Sequence, residues 1–266
     1  MKSPILVVVA AVCLALPALA SELVVTNETQ TYASGLDLPF LDASNLLKVG
    51  EGGSLVSQGN MSIGWSNNVS SAHNTDATNV FTVSGGGQFI YDNGGVAATS
   101  GGFRLGTWTA PKRRSLVTYS GPDTIVDLRD AYVNYINGNT AVEIEDGATV
   151  YMGRYAGMGN MPTTRRSEIE TTMTISGDDT KIYISPSGWI NVSHSDGNFT
   201  SNRVVMTGGS IKPLNPSSTG YAKILVGNGN ATDALFDMRG GSIDLWVTNN
   251  SNPGVNCSIT IGPGNG

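Results

Sequence analysis

Few side chains in this sequence are spaced to do chemistry. Asp178-Asp179 is the only adjacent pair of aspartates, and two carboxylates flanking a bond are what acid–base cleavage of a glycoside requires. A Ca²⁺-assisted cleavage would instead need binding carboxylates and a basic proton acceptor. The counterpart of the pair elsewhere in the chain is Pro122-Asp123 in a turn-like phrase, so a turn-forming role is preferred. The two histidines, His73 and His194, lie in polar segments without a ligand-spaced partner, which supports neither a metal site nor a catalytic triad. GxSxG, P-loop and HExxH patterns are missing from the sequence. No catalytic residue, metal or cofactor is expected.

Binding chemistry has more candidates. Trp65 and Trp108 follow, by one or two residues, the glycine that ends an apolar phrase, MSIG and FRLG. Stacked in register they would lie near one edge with Tyr155, as a strip able to take sugar rings. The competing role is to cap an apolar core at a corner. Arg113-Arg114 and Arg165-Arg166, each followed by serine, are read as matching places in a repeat that would form a cationic stripe for acidic polysaccharide. The competing role is a solvated loop copied by duplication. Sequons at Asn60, Asn68, Asn191, Asn198 and Asn230 would accept glycans in a eukaryotic secretory pathway. Composition rich in Asn, Ser and Thr produces many such triplets by chance.

These residues are held by a repeat. MTGGSI at Met206–Ile211 recurs as MRGGSI at Met238–Ile243, and the same slot holds VGEGGSL from Val49, VSGGGQF from Val83, YSGPDTI from Tyr119, IEDGATV from Ile144 and ISGDDTKI from Ile175. A second phrase ends most units: MSIG at Met61, FRLG at Phe103, YMG at Tyr151, ILVG at Ile224 and ITIG at Ile259. Apolar residues alternate on both sides of the glycines, as with Phe81 and Val83 before and Phe89 and Tyr91 after, which is the period of a strand. No 3.6-residue apolar stripe of helix length follows the leader. The period is shorter than a four-stranded propeller blade of about 40 residues, and similar corners with variable intervening segments suit a stack of coils that each match only their neighbours. Gly121 to Gly153 spans about two units, with Tyr135-Ile136-Asn137-Gly138 closing one coil and Asp146-Gly147 opening the next. The fold expected is all-β: a right-handed parallel β-helix, or β-solenoid, of about seven irregular coils over residues 46–266, behind a less regular lead-in or capping segment, 21–45. The ending ITIGPGNG echoes ILVGNGN and is read as a cut within a longer array.

Residues 1–20 read as a secretory signal peptide: Lys2, an apolar run from Ile5 to Leu16, and Ala18-Leu19-Ala20 before Ser21. Without it, Cys257 is the only cysteine, so no internal disulfide forms. No later stretch is long and apolar enough to span a bilayer as a helix. Setting Lys2 aside leaves 21 acidic against 14 basic residues, a net charge near −7, which argues against nucleic acid or anionic membrane as a partner.

The glycine-anchored, Asn/Ser/Thr-rich units behind a leader resemble the passenger regions of bacterial autotransporters and related surface β-solenoids, the structural group that includes pectate lyases. The resemblance rests on MTGGSI, MRGGSI and the ILVG and ITIG endings, and it implies an exported rod at a bacterial surface. It departs from the full pattern in having no translocating barrel after Gly266. The function expected is a non-enzymatic exported solenoid acting as a structural or adhesive surface module, with glycans or surface components as partners. The alternative is a carbohydrate-active enzyme or carbohydrate-binding module of the pectate-lyase-like group.

Overall fold

The computed structural model describes residues 22–38, 45–63, 77–93, 102–106, 113–159, 170–192, 201–215, 221–227, 233–245 and 258–261. These residues form a right-handed parallel β-helix with no helix among them. The leader, His73, His194 and Cys257 lie outside the described residues.

Each rung gives one strand to each of three sheets, A, B and C in turn. The first rung is β1 (Glu22–Val25), β2 (Thr29–Tyr32) and β3 (Leu36–Leu38), and the second is β4 (Leu46–Val49), β5 (Ser54–Ser57) and β6 (Met61–Ile63). The third is β7 (Ala77–Ser84), β8 (Gln88–Tyr91) and β9 (Gly102–Leu105), and the fourth is β10 (Arg113–Ser120), β11 (Ile125–Asp127) and β12 (Val133–Ile136). Rung five is β13 (Asn139–Glu145), β14 (Thr149–Met152) and β15 (Tyr155–Met158), and rung six is β16 (Glu170–Ile175), β17 (Lys181–Ile184) and β18 (Gly188–Val192). Rung seven is β19 (Ser201–Met206), β20 (Ser210–Pro213) and β21 (Ala222–Val226), and rung eight is β22 (Asp233–Met238), β23 (Ser242–Ile243) and β24 (Ser258–Ile261). Every sheet is eight-stranded and ordered rung by rung. At about 4.8 Å per rung the stack is about 34 Å long.

Inward-facing residues stack in columns along the rod. Val25, Val49, Val83, Tyr119, Ile144, Ile175, Met206 and Met238 pair in sequence along sheet A, and Leu55, Phe89, Val126, Val150, Ile182 and Ile211 along sheet B. Alternation of buried and exposed positions follows, since one face of each strand meets the core and the other meets water. One inward column is polar instead: Asn45, Asn79, Ser115, Thr140, Thr171 and Asn202 lie near the beginnings of the sheet A strands and are buried. Asn45 donates from its backbone N–H and its Nδ2 to Asn79 Oδ1, at 3.1 and 2.7 Å.

The glycine phrases all bridge sheet A to sheet B, and each closes a turn of three to five residues. The aligned SGPDT and SGDDT phrases have a shared cause. Thr124 Oγ1 donates to Ser120 O at 2.8 Å and accepts from Gly86 N–H of the previous rung at 3.1 Å. Thr180 repeats this with Ser176 O at 2.6 Å and Gly147 N–H at 3.1 Å. Thr180→Val keeps the shape but leaves a carbonyl and an N–H unpaired, so it is expected to lower stability by about 1–3 kcal/mol, read as a shift in urea midpoint at constant slope.

Two expectations are corrected. Residues 46–261 hold seven rungs, as expected, but residues 22–38 of the lead-in segment, read as less regular, form a complete rung paired strand for strand with the second, making eight among the described residues. That rung differs from the rest in placing Gln30 opposite Leu55, whereas Tyr32 opposite Ser57 matches Tyr91 of the third rung; Tyr32 Oη donates to Gln30 Oε1 at 3.2 Å. The YMG phrase is not an ending of the MSIG type. Tyr151 and Met152 belong to β14 in sheet B, and the sheet C strand of that rung ends at Met158 before Gly159.

Candidate functional site: an aromatic strip beside sheet C

The described tyrosine of the expected strip has different companions. Tyr155 opens β15, directly after the turn at Gly153-Arg154, and pairs with Val133 on one side and Trp189 on the other. Tyr132 precedes Val133, and Tyr221 precedes β21, so both stand at the same B–C corner. Period-two alternation turns Trp189 outward, because its neighbour Ile190 fills the core.

The four rings make a continuous strip over rungs four to seven. Tyr132 meets Tyr155 edge-on at 4.7 Å between centroids, Tyr155 tilts against Trp189 at 4.2 Å, and Trp189 lies nearly parallel to Tyr221 at 6.3 Å. Two cations sit on the rings: the Arg154 guanidinium is 5.8 Å from the Tyr132 centroid and 5.2 Å from that of Tyr155, and Lys223 Nζ is 4.5 Å from that of Tyr221. Such contacts hold the cations over the aromatic faces. A sugar lying flat on Tyr155 or Tyr221 would have to displace them. Burial, together with a hydrogen bond to Tyr132, raises the Tyr155 phenol above its ordinary range.

Trp65 and Trp108 lie outside the described residues. The residues leading to them, Ile63 and Leu105, end β6 and β9, whereas Tyr155 begins its strand. Tyr155 therefore occupies the opposite end of sheet C from those strand ends. Sequence reasoning missed Trp189, Tyr132 and Tyr221 because only the rung register brings them together.

Of the two arginine pairs, only Arg113-Arg114 lies among the described residues, at the start of β10. Register carries Ser115 to Thr140 and then Thr171, and carries Arg114 to Asn139, so Glu170 takes the rung-six position that Arg114 holds in rung four. Arg165 and Arg166, four residues earlier, lie outside the described residues, as does the Arg113 side chain. Exposed Arg114 lines a depression of about 450 Å³ that also contains Leu116, Asn139, Glu170 and Thr172. Glu170 lies 3.8 Å from Arg203 as well. This face is of mixed charge.

Asp178 and Asp179 are exposed turn residues, and Asp123 has a positive φ of 62° in the equivalent turn. Asp123 and Asp179 flank a second depression of about 330 Å³, floored by Gly147, Thr149 and Tyr151 and edged by Lys181. The two aspartates are two rungs, or about 10 Å, apart. Beside it Tyr151 and Tyr183 stack at 5.2 Å, with the Arg129 guanidinium 4.9 Å from Tyr151 and ion-paired to Asp127. Of the sequons, Asn60 Oδ1 accepts from Gly102 N–H at 2.9 Å and Asn191 is fully buried; Asn68, Asn198 and Asn230 lie outside the described residues. No family model, curated protein or solved structure matches the chain.

Proposed function

We propose that the chain is an exported, non-enzymatic β-solenoid that serves as a structural or adhesive module at or beyond the cell surface. The observation that supports this most is the contrast between its corners. A–B connections are all three to five residues long, whereas the B–C and C–A connections run from two to fourteen. A framework held constant while its loops vary suits a display rod, because contacts are made by loops on a rigid scaffold. The acidic residues near the Asp123–Asp179 depression belong to turns, and their arrangement follows from turn chemistry.

The aromatic strip supports a second reading, binding of glycans without cleavage. A glycan array with the purified chain tests both. Adhesion predicts binding to a restricted glycan set that chelator leaves unchanged, and Trp189→Ala with Tyr155→Ala should abolish it while the β-sheet circular dichroism is retained. Release of new sugar ends from a polysaccharide, lost on Asp123→Asn or Asp179→Asn, would overturn the non-enzymatic reading.

A further inference from the structure

The rod is electrostatically two-sided. The turns between sheets A and B carry Glu28, Glu51, Asp123, Asp146, Asp178 and Asp179, and their one cation, Arg239, is ion-paired to Asp237 at 2.6 Å. The strands of sheet C from β6 to β24 contain no aspartate or glutamate, and the carboxylates nearest to them, Asp92, Asp130 and Asp244, stand in the B–C turns of rungs three, four and eight. Arg154, in the B–C turn of rung five, and Lys223, in the sheet C strand of rung seven, are set on the aromatic strip, and neither is ion-paired among the described residues. Each rung passes through A, B and C before returning, so the A–B ridge lies across the core from sheet C.

We infer that the rods associate side by side, the cationic aromatic face of one copy receiving the acidic A–B ridge of the next; this rests on the structural side of the reading above. The periods agree. Asp123, Asp146 and the Asp178-Asp179 pair lie on consecutive rungs, and Arg154 and Lys223 two rungs apart, so both rows are spaced in multiples of the same rise of about 4.8 Å. Because ridge and face are different patches at different corners of the rod, the contact is heterologous and propagates from copy to copy, giving an open lateral array and not a closed dimer. Exposed charges on each side make it salt-sensitive.

Sedimentation of the chain over a concentration series, at low and high ionic strength, tests this without any substitution. At low ionic strength the mass should climb with concentration with no plateau at a dimer, and at high ionic strength it should return to the monomer. Arg154→Glu with Lys223→Glu should abolish association, as should Asp123→Lys, Asp146→Lys, Asp178→Lys and Asp179→Lys together. Mixing the two variants should restore it, since each supplies the charge that the other has reversed, and circular dichroism checks that both remain folded. A wild-type monomer at every ionic strength, undiminished association of either variant, or a mixture that stays monomeric would overturn the inference. Glycan binding by a chain that never associates would leave the adhesive reading standing, whereas association with a blank glycan array would remove that reading and keep this one.

Discussion

Replacing Phe81 by alanine is expected to cost about 3–5 kcal/mol, among the largest losses of any single truncation in the rod. Phe81 is 1% exposed and faces inward from β7 in sheet A. Its ring meets Phe89 of sheet B edge-on at 5.4 Å, Phe103 of sheet C at 6.1 Å, and Tyr119 of the next rung edge-on at 5.7 Å. One side chain thus ties all three sheets of the third rung together and binds that rung to the fourth. Aromatic pairs in these arrangements add about 0.5–1.5 kcal/mol each beyond the area they bury, and the cavity left by alanine forfeits them together. In a stack whose stability is a sum of rung and neighbour terms, the loss falls first on rungs one to three. Urea unfolding should show a lower midpoint and a separate early phase, while hydrogen exchange in rungs five to seven stays slow. A cost under about 1 kcal/mol would mean that the cluster collapses to fill the gap.

The parts of the fold legible in sequence are those where one residue type has one physical reason. Glycine at the A–B turn recurs because the chain there takes a positive φ, as at Gly85 and Gly121, and the phrases around it located seven of the eight rungs. The first rung was obscured because Asn27, with φ 54°, stands where the others use glycine, and because Gln30 interrupts the apolar alternation opposite Leu55. YMG misled because an apolar pair followed by glycine suits either corner of a coil. Likeness of letters is also not register: strand pairing sets Glu170, and not an arginine, two rungs from Arg114 in one column. The aromatic strip was the least legible. Tyr132, Tyr155, Trp189 and Tyr221 are separated by unequal loops, and only the pairing of β12, β15, β18 and β21 places them side by side. Charge was misleading in the same way, because a net value near −7 conceals a sheet whose strands from β6 onward carry no carboxylate.

Gly106→Ala is expected to cost about 3 kcal/mol or more, well beyond the same change at Gly85. Both glycines have positive φ, 73° and 60°, a region that costs an L-residue about 1–2 kcal/mol. Their surroundings differ. A Cβ on Gly106 would lie 1.9 Å from Asn137 O and 2.4 Å from Thr140 Oγ1, whereas the nearest atom to one on Gly85 is Glu51 N at 3.9 Å. Asn137 O cannot move aside without disturbing its bond from the Thr140 hydroxyl, which belongs to the buried polar column, and Asn137 N–H is held by Leu105 O at 2.9 Å. The glycine ending FRLG is therefore required by the rung stacked on it as well as by its own backbone angle. Gly85→Asn separates the two effects, since Asn27 already adopts this conformation in the first rung and asparagine tolerates it better than other residues; that change should fall within about 1 kcal/mol of wild type. If urea midpoints showed Gly106→Ala to be no worse than Gly85→Ala, the rungs would be able to spread locally, and close rung-to-rung contact at the C–A corner would not be what reserves that position for glycine.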